Sequence, residues 1–187
     1  MKLCRSIPVA IILCMGVFLV LVGVSDAAIE GIPCSLEPTN QLITYGDLII
    51  CEISPVGDSD VYRFSGKIGE TIVIQAAKQS GHVPVVELFD PDGKSVDRHT
   101  GIPARIDATL GANGAHTIMV TEAFSDQTLG YALSLERVSP QPSLPTKSIC
   151  DGCNIPDEIN PNGDVDFFSF CGAAGDTVVI QAAKQSG

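Results

Sequence analysis

The sequence predicts an all-β fold, an antiparallel sandwich of short strands. Three observations carry that expectation. Apolar runs of five to nine residues recur along the chain, rich in Val, Ile and Thr. Glycine (18 residues) and proline (12 residues) punctuate them, as sharp turns require. Over residues 29–138 there is no convincing helical periodicity. A closed barrel is the alternative, and periodicity does not separate the two.

The N-terminus is expected to lie outside the fold. "MKLCRS" carries Lys2 and Arg5, an uncharged apolar run follows over residues 7–24, and then the small residues "SDAA". Basic, apolar and small-residue regions in that order make a secretory signal, with Ser25 and Ala27 at the −3 and −1 positions. Residues 1–27 are therefore assigned to a signal peptide, which directs the rest to an extracellular or cell-envelope location. An uncleaved anchor is the alternative, because an apolar run of this length approaches what a bilayer requires. Cleavage leaves no stable membrane span.

The first expected strands are "QLITY" (41–45) and "DLIICEI" (47–53). "DVYRFS" (60–65) alternates, with Tyr62 and Phe64 on one face and Val61 and Arg63 on the other, the period of a half-buried strand. "GKIG" (66–69) then suits a hairpin, leading to "ETIVIQAA" (70–77). "TIVIQ" reads as a buried central strand and "AAKQSG" as its exit to a polar turn. "PVVELFD" (84–90) runs into "PDGK", a turn by composition. "ARIDATL" (104–110) precedes Asn113-Gly114, the strongest short hairpin signal in the chain. "AHTIMVTEA" (115–123) and "GYALSLERV" (130–138) complete a set of eight.

Shifting the chain by 106 positions aligns residues 52–81 with 158–187, identical at 19 of 30 positions without a gap. That offset is the size of a small domain, far longer than a solenoid period. The chain is therefore read as a sandwich domain over 28–138, a Pro/Ser linker over 139–148 ("SPQPSLPTKS"), and an incomplete second sandwich over 149–187. By register the second copy lacks counterparts of residues 82–138. A piece that short cannot bury enough apolar surface to fold alone. The expectation is a fragment of a longer exported protein.

Five cysteines follow the signal: Cys34, Cys51, Cys150, Cys153 and Cys171. Export permits disulfides. Cys34 and Cys51 stand alone in the first domain and form the candidate pair. Cys150 and Cys153 form a C-x-x-C, read as a structural disulfide in preference to a redox or metal motif, since neither a βαβ context nor a second ligand pair accompanies it. Cys171 replaces Ser65 of the first copy, with no partner evident there.

Chemistry is sparse. The net charge of −11 argues against nucleic acid. His82, His99 and His116 lack any close metal-ligand spacing and flank predicted turns or strand ends, where solvated histidines are expected. "GDS" at residues 57–59 superficially matches an esterase nucleophile block, but Val165 stands where Ser59 does in the first copy, and no late Asp-His pair exists. No catalytic residue is assigned. Gly57, Asp58, Asp60, Tyr62 and Phe64 are matched in the second copy by Gly163, Asp164, Asp166, Phe168 and Phe170. This motif reads as a loop that starts a strand. The glycine supplies a positive φ, the acidic side chains accept turn N–H groups, and the aromatics point to the core. The functional alternative is calcium, for which Asp58, Asp60, Asp90 and Asp92 are the candidate ligands; no other cofactor is implied. A polysaccharide- or collagen-binding face would present exposed aromatics, and Tyr45 and Phe124 are the two candidates. The partner is otherwise unidentified: an extracellular polymer or protein surface.

"GDSDVYRF" (57–64), echoed as "GDVDFFSF" (163–170), then "VELFDPDGK" (86–94) and "GYALSL" (130–135), together resemble the bacterial pre-peptidase C-terminal domain. The resemblance covers most of 51–138 and the segment after 158. It implies a jelly-roll-like β-sandwich on a secreted protein, often behind a peptidase. Here the domain follows the signal directly, so the resemblance implies an accessory module and no peptidase. Three functions remain in view: a structural or adhesive module, a carbohydrate- or collagen-binding module with or without calcium, and an accessory fragment of a secreted peptidase.

Overall fold

Apolar side chains directed inward from most of ten segments build two facing sheets. The computed structural model describes residues 31–34, 40–142, 144, 146–160 and 162–184. The predicted signal peptide lies outside these. The first sheet contains β1 (Ile32–Pro33), β3 (Leu48–Ile53), β10 (Leu129–Ser139), β5 (Thr71–Gly81) and β8 (Ala104–Thr109), in that spatial order. The second contains β2 (Gln41–Leu42), β4 (Ser59–Gly66), β9 (Gly114–Glu122), β6 (Pro84–Phe89) and β7 (Ser95–Thr100). A separate pair joins β11 (Thr146–Ser148) to β12 (Phe167–Ser169).

The core lies between the two sheets. Ile49, Ile53, Ile72, Ile74, Leu133 and Leu135 from one meet Tyr62, Phe64, Val86, Leu88, Ile118 and Val120 from the other, all buried. Each such side chain contributes roughly 1.5–3 kcal/mol relative to exposure. The all-β sandwich expected from alternation is what forms. It is mixed in direction, however, where a purely antiparallel one was expected: β1 runs parallel to β3, β2 to β4, and β11 to β12. A tight hairpin forces reversal, whereas a strand that arrives by a longer crossing is free to run either way.

Two hairpins expected from glycine signals are crossings between sheets. Residues 66–69 lead from β4 in the second sheet to β5 in the first. Asn113-Gly114 leads from β8 in the first sheet to β9 in the second. The two links lie side by side and bond to each other: Ile68 N donates to Asn113 Oδ1 (2.9 Å), Gly69 N to the Leu110 carbonyl (2.9 Å), and Leu110 N to the Glu70 carbonyl (2.8 Å). Turn residues encode a reversal of the chain, not which sheet receives the next strand. The "PDGK" turn does close a hairpin, β6 to β7, with Asp90 Oδ1 accepting from the N–H groups of Asp92 (3.0 Å) and Lys94 (2.8 Å).

Alternation did not reveal β7. All six of its residues are exposed, so neither face carries an apolar signal. The opposite happens at the end of β5. "AAKQSG" stays in the strand through a β-bulge, and Gln79 is the extra residue between the pairs Lys78–Tyr131 and Ser80–Gly130. In the second copy the counterpart of β5, residues 177–181, forms no strand, and Val178, Val179 and Ile180 are exposed. β5 itself is held between β8 and β10, and no strand flanks 177–181 among the described residues. Phe168 and Phe170, expected to point into a core, are 40% and 46% exposed, because among the described residues no second sheet covers them.

Candidate interaction site

The loops 54–58, 81–83, 101–103 and 123–128 gather at one end of the sandwich. Links 43–47, 67–70, 90–94 and 110–113 gather at the other.

At the first end the organising residue is Glu122, the last of β9, whose side chain is 0% exposed. Its Oε1 accepts from His82 Nδ1 (2.6 Å) and from Phe124 N (3.2 Å), and its Oε2 from Asp126 N (3.1 Å). The N–H of Gln127 also faces it. Burial alone would push this carboxyl up. The bond from His82 and those from the three backbone N–H groups outweigh burial and hold it at about 2. The loop so gathered turns at Ser125, which adopts a positive φ of 57°. It is zipped to the neighbouring loop by Ala123 N on the Val83 carbonyl (3.0 Å) and His82 N on the Thr128 carbonyl (3.3 Å). Gly81 permits that approach: at φ +72° its hydrogen faces the Thr128 carbonyl where a Cβ would stand 2.2 Å away. On this frame the Phe124 ring projects 71% exposed, its centroid 5.3 Å from the His82 ring. Val56 and Ile102 are exposed at the same end.

Asp60 and Tyr62 lie on β4, facing inward with Phe64. Tyr131 Oη donates to Asp60 Oδ2 at 2.5 Å and lies 2.6 Å from Tyr62 Oη. Because the single hydroxyl proton of Tyr131 goes to Asp60, Tyr62 is the donor to Tyr131. Both tyrosines are pushed well above the ordinary value, chiefly by burial. This triad bolts the two sheets together across the core. Asp60 is 1% exposed, so it does not cap a surface turn. Gly57 has the expected positive φ, +84°, as does Gly163 at +104°. Asp58 N closes the turn on the Pro55 carbonyl (3.1 Å).

The four aspartates named as calcium candidates are split: Asp58 and Asp60 belong to the first end, Asp90 and Asp92 to the other. One ion cannot reach all four, and Asp60 is spent in the core. Among the described residues no three His, Cys, Asp or Glu side chains converge on a common point. Two histidines depart from the expectation of solvation. His116 is buried on the inward face of β9, stacked on Phe64 with centroids 5.3 Å apart. His82 is held by Glu122. His99 lies on exposed β7, its Nδ1 accepting from Arg105 N (3.1 Å).

Tyr45 is not an open binding aromatic. Its hydroxyl donates to Glu70 Oε2 (2.8 Å), its ring meets Phe64 edge-on at 5.8 Å, and the Arg137 guanidinium sits 5.2 Å above it. Glu70 also accepts from Lys67 N (2.9 Å) and Arg137 Nη1 (3.2 Å). Burial raises this carboxyl, but those bonds and the cation hold it below its ordinary value. Arg137 Nε reaches on to the Gln141 carbonyl (3.0 Å), tying the segment after β10 to this end.

Cys34 and Cys51 are joined, which ties the chain after β1 to the middle of β3, and Cys150 is joined to Cys153. In the second copy Val165 N donates to Asp164 Oδ1 (2.7 Å), while Lys147 bridges Asp157 (2.6 Å) and Asp166 (3.1 Å).

Sequence reasoning placed Tyr131 in core alternation but missed its bond to Asp60, and it missed Glu122 and Glu70 altogether. Strand parity gives no signal for the two glutamates, since a carboxylate at a strand end reads as solvated.

No family model matches the chain, and no curated protein matches it. Among solved structures it is similar to the pre-peptidase C-terminal domain of the collagenase from Bacillus anthracis. The TM-score is 0.46 at 15% identity, over 55% of this chain and 99% of that one. It is also similar to PliG of Aeromonas hydrophila, a periplasmic inhibitor of g-type lysozyme, with a TM-score of 0.40 at 18% identity, over 51% of this chain and 96% of that one. Among the described residues no helix is long and apolar enough to cross a membrane.

Proposed function

We propose that this chain is an exported, non-catalytic β-sandwich module of the pre-peptidase C-terminal kind, which attaches a larger protein to an extracellular polymer through the Phe124 end. The order of basic, apolar and small residues at the N-terminus supports export. The combination of "GDSDVYRF", "VELFDPDGK" and "GYALSL" supports the family. The observation that carries the adhesive role is Phe124, an exposed ring on a loop made rigid by four donors on one buried carboxylate. An aromatic face presented at low entropic cost can stack on the apolar face of a sugar or on the proline rings of a collagen-like chain. The carboxylates of Asp60, Glu70 and Glu122 are spent on holding sheets and loops, which supports a role without chemistry.

The test is co-sedimentation of the folded chain with insoluble polysaccharides and with collagen fibres, beside Phe124→Ala. The variant should lose at least about tenfold in affinity for whichever polymer binds, with an unchanged melting temperature. Equal binding by the two proteins overturns the adhesive role. Polymer hydrolysis that disappears on substitution of one of the chain's own side chains overturns the non-catalytic reading.

A further inference from the structure

The second copy repeats more than letters. In the first, Gln41 pairs with Tyr62 in parallel and Ile43 N donates to the Arg63 carbonyl at 2.9 Å. At the 106-residue offset, Lys147 pairs with Phe168 in parallel and Ile149 N donates to the Ser169 carbonyl at 2.8 Å. Lys67 N donates to Glu70 Oε2 at 2.9 Å in one, and Ala173 N to Asp176 Oδ2 at 2.6 Å in the other. So β11 and β12 stand to each other as β2 and β4 do, although residues 146–148 read as linker by composition.

This second unit touches the first at one well-defined place. Its turn before the strand carries Asn162-Gly163, where the first copy has Val56-Gly57. Asn162 Nδ2 donates to the Lys78 carbonyl (2.9 Å), and Gln79 Nε2 donates to the Asn162 carbonyl (2.7 Å). Gly163 is buried against the outer face of the first sheet. A Cβ there would stand 3.0 Å from Ala132 Cβ and 3.2 Å from Ala77 Cβ, at a φ of +104°. The partners on the sheet are built for this: the bulge takes Gln79 out of the one-to-one ladder and re-aims its side chain. Ala77 and Ala132 keep the face low, in a small apolar cluster with Leu48 and Ile50.

We propose that Ala77, Lys78, Gln79 and Ala132 form a socket for the Asn-Gly turn of the following repeat, locking successive sandwich units in one orientation. Recurrence of the phrase "QAAKQSG" is then explained by docking as well as by strand formation, because Ala183, Lys184 and Gln185 repeat the socket residues of β5. The lock has a direction. Val56 has no side-chain amide, so the turn of the first unit cannot make the bond that Asn162 Nδ2 makes. The lock is independent of what the Phe124 end binds.

The full chain tests it, with Asn162→Ala on the turn side, Gln79→Ala on the socket side, and Gly163→Val between them. Two readouts are taken: the rate of tryptic cleavage after Lys147, and the tumbling of residues 146–169 by amide relaxation. In the unaltered chain these residues should tumble with the sandwich. Asn162→Ala and Gln79→Ala should each speed cleavage up to about tenfold, as loss of one hydrogen bond implies, and Gly163→Val should speed it more. The melting temperature of the sandwich should stay where it is. Unchanged cleavage and tumbling in the variants overturn the lock. So does a fall in sandwich stability with Gln79→Ala, since that residue would then serve the bulge and not the turn.

Discussion

Tyr131 is where the two sheets meet through polar groups. Its hydroxyl donates to a carboxyl on the facing sheet and accepts the Tyr62 hydroxyl. Tyr131→Phe removes a hydrogen bond to a buried charged group and should destabilise by about 2–3 kcal/mol, whereas Tyr62→Phe removes one neutral hydrogen bond and should cost about 1 kcal/mol. Urea denaturation compares them, and equal costs would contradict the bonding order. Parity made part of this legible. Tyr62 and Phe64 pointed inward by alternation, and Asp60 shares their face, but its charge argued for the surface until Tyr131 supplied a partner. Glu122 carries a pH signature. Its carboxyl sits at about 2 in the folded chain against an ordinary value of 4.5. A depressed carboxyl contributes stability that is fully present above the ordinary value and lost as pH falls toward the folded one. Melting temperature should therefore drop between about pH 5 and pH 2, and Glu122→Gln should flatten part of that drop. A pH profile identical to that of the unaltered chain would show that the carboxylate is not what holds the loop.

At the scale of elements, β1 is two residues long and exposed, and pairs with β3 along one edge. The Cys34–Cys51 bridge holds it there, closing a separation of 17 residues. The chain-entropy model gives such a loop about 3 kcal/mol. Mild reduction, or replacement of both cysteines by serine, should lower the melting temperature accordingly, while the buried central stretches of β10 and β5 keep the remaining sandwich folded. A melt insensitive to reductant would show that the bridge constrains nothing. The pairing itself was legible by elimination, since two cysteines stand alone in the first unit. β7 was not legible, because an edge strand with both faces in water has no alternation to display.

At the scale of the whole molecule, almost every connection crosses from one sheet to the other, and β6 to β7 is the hairpin among the described sandwich strands. Native pairings therefore join distant stretches of chain, and the loop-closure cost comes before the contacts that reward it. With its disulfides intact the sandwich should refold in milliseconds to seconds, not microseconds, in stopped-flow experiments. A microsecond phase carrying the full amplitude would contradict this topology.

The sequence by itself determined the fold class, the positions of eight strands, the self-similarity at an offset of 106 residues and the aromatic face of β4. These are local or periodic properties, written in alternation, turn residues and self-similarity. Tertiary structure alone decided that "GKIG" and Asn113-Gly114 cross between sheets, because a turn residue encodes reversal and not destination. It decided that Tyr45 is consumed while Phe124 projects, and that Glu122 is buried beneath Phe124, since exposure depends on what the rest of the chain brings alongside. It also gave "QAAKQSG" its second role, because a bulge and the turn that docks on it lie 83 and 84 residues apart and meet only when the sheet is built.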